Sequence, residues 1–293
     1  MRIGLLRRYT TDLPAYLEKL GFASVQIEFC EGDLLDPATA SDASVAAAVA
    51  EMRQRDIQVS AFAYYANLLE PDSSSAAEHR RRLCRIIQWA SALDVPVIGI
   101  MAGRDPALPA LENLPRFVDV FSPIVREAED LQVRLAIENC PKFHAFPFRS
   151  TNFAFSFQTY DAIFAALPSP NLGLEYDPSH PVMMMMDVLE WVYRYGPRIF
   201  HVHAKDAEVV WREIRANGIY SDKAFRYRLP GFGDVDWGRL ISALIEIGYR
   251  GALDIEGKHD PVYSGDLDAP GLVLARRHLE QYAPSTAAGV QTY

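Results

Sequence analysis

Short apolar runs alternate with longer amphipathic stretches from one end of the chain to the other. Runs near 2–6 (RIGLL), 24–29 (SVQIEF), 57–63 (IQVSAFA), 95–101 (VPVIGIM), 133–138 (VRLAIE), 172–177 (LGLEYD), 199–205 (IFHVHAK) and 252–256 (ALDIE) predict eight strands. The stretches near 11–20, 43–55, 76–93, 112–130, 158–167, 187–194, 237–248 and 270–282 predict the helices that follow them. Strands too apolar to be half-exposed, each followed by a helix, read as a parallel sheet covered by helices. Eight such units favour a closed (β/α)8 barrel, a single domain over residues 1–293, rather than an open doubly wound sheet. No Gly-rich loop follows the first strand, and GFG at 231–233 lies in a loop after Pro230, so the dinucleotide fingerprint is absent.

Two connections are too long to be mere links. Residues 139–157 follow strand five and carry Phe143, Phe146, Phe148, Phe153, Phe155 and Phe157. Residues 206–235 follow strand seven and carry Trp211, Tyr220, Phe225, Arg226, Tyr227 and Arg228. Their aromatic content is not that of disorder. Both are expected to be lids over one end of the barrel, with a subunit interface as the equal alternative.

Four strands in the second half end on residues that can ligate a metal, in the order Glu138, Asp177, His203, Glu256. In a (β/α)8 barrel the carboxyl ends of the strands form the face where active sites are built. Three carboxylates and one imidazole make a hard, oxygen-rich set. That set suits Mn²⁺ first, with Co²⁺, Mg²⁺ or Zn²⁺ as alternatives, better than a thiolate-rich structural zinc site. Strand alternation supports the grouping. Glu175 shares a side with Asp177, His201 and Lys205 with His203, and Asp254 with Glu256. Glu175, His201 and Asp254 are then expected to form a layer below the ligands, bonded to one another and orienting them.

The D-P-S-H at 177–180, the H-V-H-A-K-D at 201–206 and the glutamates ending strands five and eight resemble the xylose-isomerase-like TIM barrels. These include sugar isomerases, ketose 3-epimerases, inosose dehydratase and endonuclease IV. The resemblance implies one divalent metal held by Glu138, Asp177, His203 and Glu256, with Glu138 and Glu256 also acting as acid and base, and His180 touching substrate. Family members are often dimers or tetramers, so a homo-oligomer stays open, and no interface is readable in the sequence.

Moving a hydrogen alpha to a carbonyl needs a base, an acid and stabilisation of the enediolate oxygen, and a metal can act as the Lewis acid. His180 and Lys205 would face the developing oxyanion, and Arg226 and Arg228 would close over the substrate. Lys205 as a Schiff-base lysine is the lesser reading, because the nearby carboxylates raise its pKa. Glu28 and Arg104 follow early strands and either touch substrate or pair at the surface. Met183–Met186 read as packing or loop lining. The expected function is a sugar isomerase or epimerase acting on a keto sugar. The first rival is a lyase that takes the same enediolate to elimination, as for an inosose or a 3-keto-glycoside.

Composition narrows the partners. The 293 residues weigh 32.9 kDa and carry a net charge of −9, with no run of Lys or Arg, so neither nucleic acid nor an anionic membrane is expected. None of the seven histidines ends an early strand, which argues against a nuclease with extra metals. The intact ligand set argues against a non-catalytic sugar-binding protein. Cys30, Cys84 and Cys140 have neither disulfide nor zinc spacing, and MRIGLLRR runs straight into a strand. A cytoplasmic protein is expected.

Overall fold

The computed structural model describes residues 1–144 and 149–283, with the backbone alone at 143, 144 and 149. Eight parallel strands close into a barrel: β1 (Ile3–Arg8), β2 (Ser24–Glu28), β3 (Gln58–Tyr64), β4 (Val97–Ile100), β5 (Arg134–Glu138), β6 (Leu172–Tyr176), β7 (Ile199–Ala204) and β8 (Leu253–Ile255). Each strand pairs with the next in sequence, and β8 pairs with β1. The strand and helix centres match those read from periodicity. The ends differ by a few residues.

Local chemistry explains where the helices begin. Ser41, Asp72 and Asp187 each accept a backbone N–H of the first turn, at 3.1, 2.9 and 2.8 Å for the shortest bond of each. Ser156 and Thr159 form a reciprocal capping box at the start of Phe157–Ala166. The main core fills the space between the strands and the helices, and Ala61, Val97, Ala136 and Phe200 form a small cluster of their own.

Two register shifts shape the barrel's interior. Val25 pairs with Val59 but Gln26 with Ala61, so Ser60 is an extra residue on β3. Leu174 pairs with Ile199 but Glu175 with His201, so Phe200 is an extra residue on β7. Such bulges re-aim side chains beside sites. Here Ser60 hydrogen-bonds Asp254 across the barrel. Two glycines make room for the buried acids. A Cβ at Gly99 would sit 2.4 Å from Glu175 Oε2, and one at Gly4 would sit 2.1 Å from Asp254 Oδ1.

The two long connections differ from the expectation. In the first, residues 143–144 and 149–150 pair as a short antiparallel ribbon. Phe153 is fully buried against Phe117, and Phe157 opens a helix and packs on Trp191 at 4.8 Å. These two rings belong to the core because the chain has already turned back toward the helical layer. Phe146 and Phe148 lie outside the described residues, as does the Phe143 side chain. The second connection is an antiparallel hairpin of Asp206–Val209 with Phe225–Arg228, carrying the helix Trp211–Asn217 at its far end. Its anchor is Asp206, whose buried carboxylate accepts from the N–H groups of Ala207, Gly231 and Val235 and from the Trp237 indole at 2.9–3.1 Å. Among the described residues no helix is long and apolar enough to cross a membrane.

Two measurements check this packing. Gly99→Ala forces a methyl onto Glu175 and should lower unfolding free energy in urea by about 1–3 kcal/mol. A variant as stable as the parent would mean that the acid layer shifts freely. Burial raises Asp206 to about 6 against the donors that hold it down. A carboxyl raised on folding contributes stability that is full below its unfolded value and is lost as pH rises through the folded one. The stability difference between the parent and Asp206→Asn should therefore fall by up to about 3 kcal/mol from pH 4 to pH 7. A flat difference across that range would contradict the assignment.

Candidate metal centre and active-site cleft

Glu138 is the last residue of β5, Asp177 and Glu256 each follow their strand by one residue, and His203 lies within β7. Their ligand-type atoms all fall within 4.8 Å of one another. His203 Nδ1 is 3.0 Å from Glu138 Oε1 and 3.6 Å from Glu256 Oε2. Its other nitrogen, Nε2, is 2.8 Å from Gln26 Oε1 and 3.1 Å from the Tyr65 hydroxyl. A proton on Nε2 donated to Gln26 leaves Nδ1 with a free lone pair facing the carboxylates. That is the tautomer a metal requires.

Charge and hydrogen bonding test whether a divalent cation fits. Glu138, Asp177 and Glu256 carry three negative charges against one ammonium, that of Lys205, which lies 3.0 Å from Glu256 and 3.8 Å from Asp177. The carboxylates also raise His180 and His203 well above an ordinary imidazole, so protons on these rings offset the remaining charge in the metal-free pocket, and a dication would take their place. Asp177 Oδ2 and His180 Nε2 stand 3.1 Å apart but are not aligned as a hydrogen bond, so both buried atoms lack a partner among the described residues. Unsatisfied atoms of this kind cost about 1–3 kcal/mol each unless a ligand meets them. The residues fit a divalent metal.

Burial opposes the ionised form of each of these groups, and the neighbours overcome it. The neighbouring imidazoles of His180 and His203 keep Glu138 below the usual carboxylate range. Lys205 and His259 hold Glu256 well below it. Glu256 and Asp177 raise Lys205 well above an ordinary lysine, which favours the ammonium over the free amine that a Schiff base needs. The ammonium lies 4.0 Å from the centre of the Tyr227 ring.

The expected lower layer is assembled. His201 Nε2 is 2.8 Å from Asp254 Oδ2, and His201 Nδ1 is 3.1 Å from Glu175 Oε1 without hydrogen-bond alignment. Sequence reasoning missed what completes it. Ser24 donates to Asp254 at 2.5 Å and Ser60 also donates to it. Gln26 and Tyr65 donate to Glu175 at 2.6 and 2.8 Å. Ser24, Gln26 and Glu28 form a polar period of two along β2, a signal present in the sequence. Ser60 is hidden by its bulge, and Tyr65 lies one residue beyond its strand.

The structure does not bring Arg226 and Arg228 to the centre. Arg226 pairs with Glu208 at 2.7 Å on the outer face of the hairpin, and Arg228 pairs with Glu208 and Asp260 at 2.8 and 3.1 Å. Hairpin alternation turns Tyr227 inward instead, with its hydroxyl 3.4 Å from His180 Nδ1. Arg104 is spent on the carbonyl of Leu108 at 2.7 Å. Glu28 does line the cleft, where Lys258 and Arg8 pair with it. Met183 and Met186 pack against the core, while Met185 is exposed.

Comparisons with known proteins agree with this architecture. Inosose dehydratase of Serratia proteamaculans is 35% identical over 103 residues, which is 34% of this chain and 33% of that enzyme. Across the first curated relatives the match spans only 29–54% of their length. Among solved structures, an IolI protein with a bound zinc atom superposes with a TM-score of 0.72 at 20% identity, covering 97% of this chain and 100% of that one. D-psicose 3-epimerase of Clostridium cellulolyticum, with D-tagatose, gives 0.72 at 17% identity, covering 96% and 99%. These structural likenesses establish the fold. The sequence model of the xylose isomerase-like TIM barrel matches residues 14–282, and the chain belongs to that family.

Proposed function

We propose that this protein is a divalent-metal-dependent isomerase or epimerase of a small keto sugar. The observation that carries the reading is the pair Glu138 and Glu256, which meet at one imidazole, His203, with Lys205 beside Glu256. A cation held by Glu138, Asp177, His203 and Glu256 would supply the Lewis acid for the substrate's carbonyl. Mn²⁺ is the expected ion from the oxygen-rich donors, and the zinc in the similar IolI structure makes Zn²⁺ the first alternative. Glu138 takes the proton alpha to the carbonyl and returns it to the neighbouring carbon, while delivery to the opposite face runs through Glu256, which passes on a proton drawn from the Lys205 ammonium 3.0 Å away. Lys205 presents an N–H to the oxygen on which charge develops, and His180 presents its unpartnered Nε2. Tyr227 covers Lys205 and limits access of water to it.

The likeness to inosose dehydratases favours a second reading, in which the same proton abstraction ends in loss of water or an alcohol. NMR in D₂O with ketoses, inososes and 3-keto-glycosides tests both readings. Deuterium at the alpha carbon with an epimer or isomer supports the first, and an unsaturated ketone or a released alcohol supports the second. Exchange should fall at least a thousandfold in Glu138→Gln and in Glu256→Gln, and a chelator should abolish it in the parent. Full exchange in either variant would overturn the assigned roles.

A further inference from the structure

The cleft over the barrel is open to solvent on one side and offers about 750 Å³. That lies in the upper part of the range of about 300–1,000 Å³ seen for sites of drug-sized ligands, and a single sugar ring of twelve non-hydrogen atoms fills only part of it. The lining divides by strand. Glu138, Lys205 and Glu256 belong to the β5–β8 half. Arg8 ends β1, Glu28 ends β2 and Tyr64 ends β3, on the opposite half of the mouth. Lys258, two residues past Glu256, reaches across to Glu28 and joins the halves.

The opposite half has a distinct chemistry. Glu28 stands between Lys258 and Arg8, with Arg8 at 3.6 Å. Arg82 is mostly buried and pairs with Glu31 at 3.2 Å and Glu78 at 3.1 Å. Tyr64 shares a hydrogen bond with His79 at 2.8 Å. Donors and acceptors therefore alternate, and Arg8, Arg82 and Lys258 each already face a carboxylate. A phosphate or carboxylate would need donors alone and unspent positive charge, and would meet Glu28 and Glu31 as like charges. A sugar hydroxyl donates and accepts at once, and an array of mixed sign matches it. Lys142 is a lining cation with no carboxylate partner among the described residues. It is spent on the carbonyl of Tyr65 at 3.1 Å, one residue past the end of β3.

We propose that the cleft takes a two-ring substrate, with the keto ring over Glu138, Glu256 and Lys205 and a second, uncharged polyhydroxylated ring over Arg8, Glu28 and Lys258. This rests on the proposed function only for which ring reacts. The test is equilibrium binding to the Mg²⁺-loaded protein by saturation-transfer NMR. The probes are D-fructose, D-fructose 6-phosphate and three keto disaccharides: turanose, isomaltulose and lactulose. At least one disaccharide should bind ten times more tightly than both single-ring probes. Glu28→Gln and Lys258→Ala should each cut that preference at least fivefold. Tightest binding of the phosphate, no disaccharide preference, or a preference untouched by both variants overturns the proposal, as does failure of every probe to bind. Binding is read without turnover. Tight disaccharide binding without alpha-proton exchange of any substrate would therefore sink the proposed function and leave the two-ring site standing.

Discussion

Ionisable groups buried inside a closed barrel must be paired with one another, because an unpaired buried charge costs several kcal/mol. Glu175, Asp254 and His201 are 0–1% exposed. They survive there as one connected set: Ser24 and Ser60 on Asp254, Asp254 on His201, His201 against Glu175, and Gln26 and Tyr65 on Glu175. Gln26 and Tyr65 also hold His203, so the set reaches the centre above it. Much of the barrel's irregularity follows. Gly4 and Gly99 clear space for carboxylates, and the bulges at Ser60 and Phe200 lie beside the residues they serve. The polar interior is what fixes the orientation of His203, and with it which nitrogen faces Glu138 and Glu256.

The sequence was most legible where a strict period governs position. A strand repeats every two residues, so Glu175, His201 and Asp254 could be placed one layer below the strand ends from spacing alone. The quartet emerged the same way, because each member closes a strong apolar run. Reading failed where a local rule needed a register that only the folded chain supplies. Arg226 and Arg228 were read as a pair aimed inward, but they share a face of a hairpin whose other face holds Tyr227. Phe153 and Phe157 were read as lid residues because a long aromatic segment has no period, whereas the fold turns both into the helical layer. Gln26 and Tyr65 act on β6 and β7 from the other side of the barrel. Nothing local in their segments names that partner.

The charge at the centre and the width of the mouth belong to different halves of the same ring of strands. Lys205 pairs with one of three carboxylates, which leaves room for a dication and keeps Glu256 ionised. The β1–β3 half carries acids and bases that already neutralise one another, so it adds polar contacts to the cleft but almost no net charge. On the proposed function the first step would belong to β5–β8, and what β1–β3 holds would decide the outcome. If the second ring is attached through an oxygen beta to the carbonyl, the pair of electrons left when Glu138 takes the alpha proton would expel that oxygen, and the departing alkoxide would take its proton from water. If the linkage lies elsewhere, the same electrons are reprotonated on carbon, and the product is an epimer or isomer. On the proposed function, isomerase and lyase would be two fates of one intermediate, separated by whether the substrate carries a leaving group beta to the carbonyl rather than by any residue at the centre.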